Sequence, residues 1–294
     1  MALVPDFHGK IVWITGASSG IGEALAHAFA EAGARLVLSA RRVEALESVR
    51  SACTQPDGPE HQVLPLDMTQ PDDFAKAVAA VEALGGIDVL VHNAGVGQRA
   101  PALGTTSEQE RAIMEVNFFG PAQLTRTALP GMISRGEGHF VVISSIAGRV
   151  APAYRTAYAA SKHAVMGWFE ALRAEHTDDG IHITVVMPSY VKTDFGRNAS
   201  ATTEEEGRNL DTDDNRLTPD WVAKRVVLGT AWKQMEVIVA RKERLALLLR
   251  PFLPRVMHNV LARRARKLRL ARAKALTGPV EPKPTEDIVD VSSS

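Results

Sequence analysis

Tyr158 and Lys162 stand four residues apart, and Ser145 lies thirteen residues before the tyrosine. In a helix such a spacing puts two side chains on one face, so the phenol and the ammonium can point into the same cavity. A free phenol has a pKa of about 10, and a nearby cation lowers that value. We therefore predict that Tyr158 is a general acid/base assisted by Lys162. The spacing alone also fits a solvated pair, so the rest of the chain must decide.

A glycine-rich turn near the N-terminus predicts a phosphate site. The apolar run 10–14 is typical of a buried strand, residues 23–30 favour a helix, and residues 35–39 predict a second strand. Free N–H groups and the helix dipole would face an anion at the intervening turn. A merely structural turn is the alternative. The candidate cofactor-binding residues here are Gly16, Ser18, Ser19, Gly20, Ile21 and Gly22.

Five motifs, in their order and spacing, resemble the short-chain dehydrogenase/reductase family. They are Thr15-Gly-x-x-x-Gly-x-Gly22, Asn93-Ala94-Gly95, Asn117, Ser145 and Tyr158-x-x-x-Lys162. The resemblance runs from about Lys10 to Thr193. It implies a single Rossmann-like domain and hydride transfer between a nicotinamide cofactor and a carbonyl or alcohol, with Asn117, Ser145, Tyr158 and Lys162 as the catalytic set.

Alternating strand and helix patterns independently predict an α/β fold with a doubly wound parallel sheet. Strands are expected near 63–66, 87–91, 139–143, 181–186 and 237–239, and helices near 43–53, 71–84, 106–134, 154–178 and 219–233. Asp67, Asn93, Ser145 and Pro188 each follow a predicted strand. Because ligands bind at the carboxyl ends of such strands, we expect these four residues to converge on one edge of the sheet.

The end of the second strand favours NADP(H) over NAD(H). An acidic residue there would bind the ribose hydroxyls of NAD. This chain instead has Ser39-Ala40-Arg41-Arg42, and arginine pairs with phosphate through charge and paired hydrogen bonds. The alternative is that both arginines simply open a solvated helix.

The resemblance assigns further roles. It implies that Asp67 binds the adenine amino group, that Asn93, with Ala94 and Gly95, lies by the adenosine ribose, and that Lys162 also binds the nicotinamide ribose. Ser145 would hold the substrate carbonyl oxygen, whereas the neighbouring Ser144 would be structural. Asn117 would interrupt an apolar helix and connect through water to the lysine.

The segment after the strand ending at Met187 departs from the family in one residue. Pro188, Val191 and Thr193 match its nicotinamide-binding positions, while Ser189 replaces a glycine. We expect the hydride chemistry to survive this change. Candidate walls of the substrate pocket are mostly apolar or aromatic and favour a lipophilic ketone or alcohol: Val96, Arg149, Val150, Ala151, Tyr154, Tyr190 and Phe195.

Residues 194–217 have few apolar side chains and include Glu204, Glu205, Glu206, Asp211, Asp213 and Asp214. This composition predicts a mobile loop. It is compatible with closure over the substrate, or with simple solvation of the acids.

The C-terminal part of the chain predicts an addition to the fold. We expect a dehydrogenase/reductase domain over 1–240, a basic amphipathic helical extension over 241–276 and a disordered tail over 277–294. Between residues 250 and 274 there are nine Lys or Arg and no acid. Met257, Leu261, Ala265, Leu268 and Ala275 can share one helix face. Residues 245–276 would suit peripheral contact with an anionic membrane, although a docked helix, a partner subunit or nucleic acid remain alternatives.

Composition limits the remaining classes. The 294 residues carry 34 basic and 34 acidic side chains, so no net charge draws the chain to nucleic acid. Cys53 is the single cysteine, and we expect no disulfide, no metal site and a cytoplasmic location. The resemblance implies a homodimer or homotetramer built partly on the helix of Tyr158. A catalytically silent NADP-binding regulator, or a membrane-surface interaction protein on the same fold, is the alternative function.

Overall fold

Seven parallel strands form the central sheet of the protein, in the order β3-β2-β1-β4-β6-β7-β9. The computed structural model describes residues 5–53, 58, 60–193, 195, 200–201 and 216–277. Strands of the sheet are β1 (Ile11–Thr15), β2 (Arg35–Ser39), β3 (Gln62–Val63), β4 (Val89–His92), β6 (Gly138–Ile143), β7 (Ile181–Pro188) and β9 (Glu236–Val239). A separate pair comprises β5 (Gln98–Arg99) and β8 (Ser200–Ala201). The predicted doubly wound α/β fold is confirmed.

Helices connect the strands and cover both faces of the sheet. They are α1 (Gly20–Glu31), α2 (Val43–Cys53), α3 (Phe74–Glu82), α4 (Ser107–Met114), α5 (Gly120–Arg135), α6 (Thr156–Glu175), α7 (Pro219–Ala231), α8 (Glu243–Leu249) and α9 (Pro254–Thr277). Short 3₁₀ turns occupy Pro71–Asp73, Ala102–Gly104 and Ile146–Gly148.

The apolar strands separate two buried layers. Successive side chains of β1 alternate between the layers, since Ile14 packs in the layer of α1, α2 and α7 while Trp13 packs in that of α3, α5 and α6. Leu90 of β4 joins Trp13, and its neighbour Val91 joins Ile14. Alternation between two buried faces explains why these strands read as nearly continuous apolar runs.

The strand order reverses between β1 and β4, which are hydrogen-bonded neighbours in the middle of the sheet. From β1 the chain builds outward through β2 to β3, and from β4 it builds the other way through β6 and β7. At such a switch point the loops leaving the carboxyl ends diverge and open a crevice. This is where the ligand site must be sought.

Three local features differ from the sequence-based expectations. The helix expected over 106–134 is interrupted by a π-helical turn at Glu115–Phe119. The third strand is an edge strand of only two residues rather than four. The β5–β8 pair was not predicted, because two-residue strands carry no periodicity.

The basic C-terminal segment forms the two helices α8 and α9, as expected for a helical extension. Among the described residues, no helix has the length and apolarity that crossing a bilayer demands. The acids at 204–206, 211, 213 and 214, and residues 278–294 of the expected tail, lie outside the described residues. The domain boundary at residue 240 stays a prediction.

Candidate active site

A cavity of about 1000 Å³ opens at the carboxyl ends of the central strands. Asp67, Asn93, Ser145 and Pro188, which come from four separate segments, all line it. The convergence expected from the strand ends is therefore observed. Of the predicted catalytic and cofactor-binding residues, only Gly22 and Asn117 do not line the cavity.

The turn between β1 and α1 is tightly packed and requires its glycines. Gly16 has φ +65°, and a Cβ there would lie 2.8 Å from the Cα of Ala94. A Cβ on Gly22 would lie 2.1 Å from the carbonyl oxygen of Gly16. Gly22 thus acts from behind the turn, by letting the helix approach it. Since α1 begins at Gly20, its free N–H groups face the cavity, as an anion site requires.

Asn93 and Thr15 fasten this turn to the end of β4. The Asn93 side-chain amide donates to the carbonyl oxygens of Thr15 and Gly16 at 3.1 and 3.0 Å. The Thr15 hydroxyl accepts from the backbone N–H groups of Asn93 and Ala94 and donates to Val91. The side chain of Asn93 thus has a structural task, in addition to lining the cavity where the ribose was expected.

Arg41 and Arg42 border the cavity at the end of β2. The Arg42 guanidinium donates to the hydroxyl and the carbonyl oxygen of Ser18, both at 3.3 Å. This contact holds the exposed Arg42 side chain beside the glycine-rich turn. On the other side, the Asp67 carboxylate accepts from the N–H and hydroxyl of Thr69 at 3.0 and 2.9 Å. Asp67 therefore lines the cavity while also closing a local turn.

Tyr158 is buried in the first turn of α6 and faces the cavity. Burial raises the pKa of its phenol, while a hydrogen bond with Ser145 and the charge of Arg155 oppose the rise. The expected lowering by Lys162 is not found, because desolvation dominates and Lys162 does not contribute to the shift. The Ser145 hydroxyl also accepts from the N–H of Ala147 at 3.1 Å, which sets its orientation.

Lys162 lies one turn further along α6, with its ammonium 5.9 Å from the centroid of the Tyr158 ring. The ammonium donates to the carbonyl oxygen of Ile143 at 2.9 Å. Burial lowers the pKa of Lys162 to about 8. Ser144 is buried and donates to the backbone carbonyl of Lys162, which supports the structural role expected for it.

Asn117 lies in the π-helical turn and is buried. Its side-chain amide accepts from the N–H of Val96 at 2.8 Å and donates to the Val96 carbonyl at 3.0 Å and to Ser161 at 2.9 Å. Asn117 therefore connects the loop after β4 to the helix of Tyr158. π-Helical turns of this kind occur often at functional sites. The water link to the lysine stays a prediction.

Gln98 was missed by sequence reasoning, although it holds the start of α6. Its side-chain oxygen accepts from the backbone N–H groups of Ala157 and Tyr158 at 2.8 and 3.3 Å. Its amide donates to the hydroxyls of Thr105 and Thr156. A distant glutamine thus replaces a local N-cap. No local sequence signal marks such a residue.

The predicted substrate walls are only partly correct. Val96, Val150, Tyr190 and Phe195 line the main cavity, and Tyr154 lines a smaller recess beside it. Arg149 does not, because its guanidinium pairs with Glu170 and Glu236. Ala151 lines neither space and is exposed. Sequence order placed both residues near the site, but the turn after β6 directs them outward.

The C-terminal helices supply a wall that sequence reasoning did not place in the site. Met257, Val260, Leu261 and Arg264 of α9, with Ala246 of α8, line the main cavity. Ala265 and Leu268 border the smaller recess. The helix face predicted from Met257, Leu261, Ala265 and Leu268 is thus directed at the site, while the side chain of Ala275 lies outside the described part of α9.

Comparison with known proteins agrees with this geometry. Residues 10–204 match the family model described as short chain dehydrogenase. A protein of Bos taurus, dehydrogenase/reductase SDR family member 7B, is 37% identical over 270 residues, which cover 89% of this chain and 83% of the relative.

Solved structures show the same fold. A short-chain dehydrogenase from Streptomyces avermitilis superimposes with a TM-score of 0.73 at 31% identity and covers 88% of this chain and 98% of its own. An alcohol dehydrogenase from the archaeon Thermococcus sibiricus, complexed with 5-hydroxy-NADP, gives a TM-score of 0.68 at 28% identity. It covers 78% of this chain and 95% of its own.

Proposed function

The chain belongs to the short-chain dehydrogenase family and is a dehydrogenase/reductase, and from that premise we propose that it transfers hydride between NADP(H) and a lipophilic carbonyl or secondary alcohol. One observation carries the proposal. Tyr158, hydrogen-bonded to Ser145 and one turn from Lys162, faces a cavity that Arg41 and Arg42 border at its nucleotide end.

The proton chemistry follows from the chain's own residues. Tyr158 donates its proton to the carbonyl oxygen during reduction and accepts it from the alcohol in the reverse direction. Ser145 donates to the same oxygen, so that developing charge meets a preoriented hydroxyl. Lys162, one turn further along α6, would hydrogen-bond the nicotinamide ribose and so hold the cofactor beside Tyr158. The nicotinamide cofactor, when bound, supplies the hydride-transfer chemistry.

The residues present fit a phosphorylated dinucleotide. The glycine turn leaves no space for a Cβ and presents free N–H groups, which suits a pyrophosphate. Arg41 and Arg42 lie beyond it at the end of β2, where a 2′-phosphate needs cationic partners. The Thermococcus sibiricus relative, complexed with an NADP derivative, supports the same choice of cofactor.

The walls around Tyr158 support a lipophilic substrate. Phe195 packs edge-on to the Tyr158 ring at 5.9 Å, and Val150 lines the same cavity. Met257, Val260 and Leu261 of α9 line it as well. Apolar walls around a few polar groups are typical of small-molecule sites.

The test is the oxidation of NADPH, followed by the absorbance of its reduced nicotinamide, with a panel of lipophilic ketones and aldehydes. Tyr158→Phe should lower kcat by at least about a hundredfold while the protein still binds NADPH. Thr177→Val is the control, because it removes an exposed hydroxyl that lines neither the main cavity nor the smaller recess and should keep activity. Turnover that survives Tyr158→Phe would contradict the assignment, whereas tight NADPH binding without turnover would favour the regulator alternative.

We propose further that the enzyme, as a cytoplasmic protein, contacts anionic membranes through its C-terminal helices. Leu245, Leu248, Phe252, Leu253 and Val256 are exposed around the junction of α8 and α9. Arg255, Arg263, Arg266 and Lys267 are exposed on the adjoining part of α9. Clustered apolar groups among basic residues suit an anionic lipid surface.

For assembly we propose a homodimer or homotetramer that uses α5 and α6. Phe119, just before α5, is 51% exposed and offers the kind of aromatic side chain that is enriched at subunit interfaces. Arg126 of α5 lies 5.6 Å from the ring centroid of Trp168 on α6, so the two helices offer a joined surface. Light scattering with Phe119→Glu would show a smaller species if this surface joins subunits.

A further inference from the structure

A small recess of about 70 Å³ adjoins the active-site cavity beneath α9. The two spaces share Tyr190, Arg155, Arg264 and Leu261 among their lining residues. The buried Arg99 also lines both spaces, and none of the described residues that line the recess is acidic. Arg155 and Arg264 therefore bring positive charge to one end of a mostly apolar space.

Tyr190 holds two of these arginines in place. The Arg155 guanidinium lies 5.6 Å from the centroid of the Tyr190 ring, and the Arg264 guanidinium lies 5.2 Å from it. Contacts of this kind orient a guanidinium but leave its N–H groups able to donate. Among the described residues, neither arginine forms an ion pair with an acid.

The charged end lies close to the reacting atoms. Arg155 is also 5.7 Å from the centroid of the Tyr158 ring, so one arginine touches both the catalytic tyrosine and Tyr190. Arg41 and Arg42, at the end of β2, belong to the nucleotide end of the cavity. An anion held by Arg155 and Arg264 would therefore be part of the substrate.

We propose that the substrate is an amphiphilic ketone or alcohol with an anionic group, a carboxylate or a phosphate, only a few bonds from the reacting carbon. Arg264 and Arg155 bind the anion, and Met257 and Leu261 contact the alkyl chain. This specificity rests on the proposed function, since it describes the substrate of the same reaction. Arginine suits both anions, because its planar donors match carboxylate and phosphate oxygens.

Binding to the NADP⁺-saturated protein tests the proposal independently of turnover. The probes are a medium-chain γ-keto fatty acid, its methyl ester and its primary amide as neutral references, and the phosphate monoester of a keto alcohol of equal length, all of them ketones that NADP⁺ cannot reduce. One or both anionic probes should bind about tenfold more tightly than the neutral ones. Comparing the carboxylate with the phosphate distinguishes the two sources of charge.

Arg264→Gln should remove this preference for the anion, with neutral probes affected less than about twofold. Arg263→Gln is the matched control, since Arg263 is exposed on the same helix but lines neither space. Equal affinity for anionic and neutral probes, or an equal loss in both variants, would overturn the proposal. Turnover of the methyl ester alone would leave the reductase intact and refute only the anion site; absence of all turnover would instead count against the proposed function.

Discussion

Burial, rather than the nearby ammonium, dominates the titration of the groups at the centre of the site. Tyr158 and Lys162 are both buried, and burial favours the neutral form of each group. It therefore raises the pKa of the phenol and lowers the pKa of the amine. Ser145 and Arg155 oppose the change at the tyrosine. The phenol therefore keeps its proton at neutral pH, as the proton donor in carbonyl reduction must.

Lys162 makes the stability of the cofactor-free protein depend on pH. Its pKa is about 8 when folded and 10.5 in the ordinary state, so between these values the unfolded chain binds more protons. The free energy of unfolding should therefore increase as pH rises through that window. Below the window, the full cost of burying the charged ammonium remains. Lys162→Met should abolish this rise and, below the window, increase the free energy of unfolding by on the order of 2 kcal/mol. This increase is smaller than the pKa shift alone implies, because the carbonyl oxygen of Ile143 loses its hydrogen-bond donor.

Denaturant unfolding at a series of pH values measures this effect. Lys76→Met is the control, because Lys76 is exposed on α3 and should leave the pH dependence unchanged. An unaltered pH dependence in Lys162→Met would show that the ammonium is better solvated than the structure indicates.

Arg41 and Arg42 should determine the choice between the two nicotinamide cofactors. Replacing either by Ala should raise KM for NADPH about tenfold, because a charge-assisted contact to the 2′-phosphate is lost. The KM for NADH should change by less than about twofold. Initial rates with both cofactors measure this, with Arg50→Ala as a control outside the cavity. A parallel loss for NADPH and NADH would mean that the arginines support the turn rather than the phosphate.

At the scale of the element, the join between β1 and α1 depends on close approach. The Cβ of Gly22→Ala would meet the Gly16 carbonyl and the Asn93 amide, so the helix must shift. We expect a loss of about 1–3 kcal/mol in the free energy of unfolding and weaker NADPH binding.

Gly167→Ala is the control on α6, where a Cβ meets nothing within 4 Å. It should stabilise the protein by about 0.5–1 kcal/mol, because glycine is unfavourable inside a helix. Thermal unfolding and NADPH titration of both variants make the comparison. A harmless Gly22→Ala would show that the turn can relax without losing its shape.

At the scale of the whole molecule, we propose two roles for the C-terminal extension. Its helices α8 and α9 form one wall of the site, and their exposed apolar side chains contact the membrane. Leu248→Ser with Phe252→Ser should weaken binding to anionic vesicles at least tenfold, because two large apolar side chains leave the lipid boundary. Vesicle sedimentation measures this, with neutral vesicles as a further comparison. Leu103→Ser is the control, being fully exposed but distant in sequence from the extension. Equal sedimentation of all variants would contradict the membrane contact.

Much of the site was predictable because its chemistry uses local patterns. Strand, glycine turn and helix follow one another along the chain, and Tyr158 and Lys162 share one turn of α6, so spacing alone predicted their proximity. The strand ends carrying Asp67, Asn93, Ser145 and Pro188 were predictable as well, because parallel strands bring their carboxyl ends to one edge.

Only the tertiary structure decided the contacts that join distant segments. Gln98 reaches the start of α6 across 59 and 60 residues, and Arg264 reaches Tyr190 from the far end of the chain. Periodicity carries no information about such pairs. The direction of the Tyr158 pKa shift was likewise beyond the sequence, because desolvation depends on how completely the folded chain surrounds the phenol. The sequence by itself determined the fold and the reacting groups, whereas folding determined how they are buried, held and enclosed.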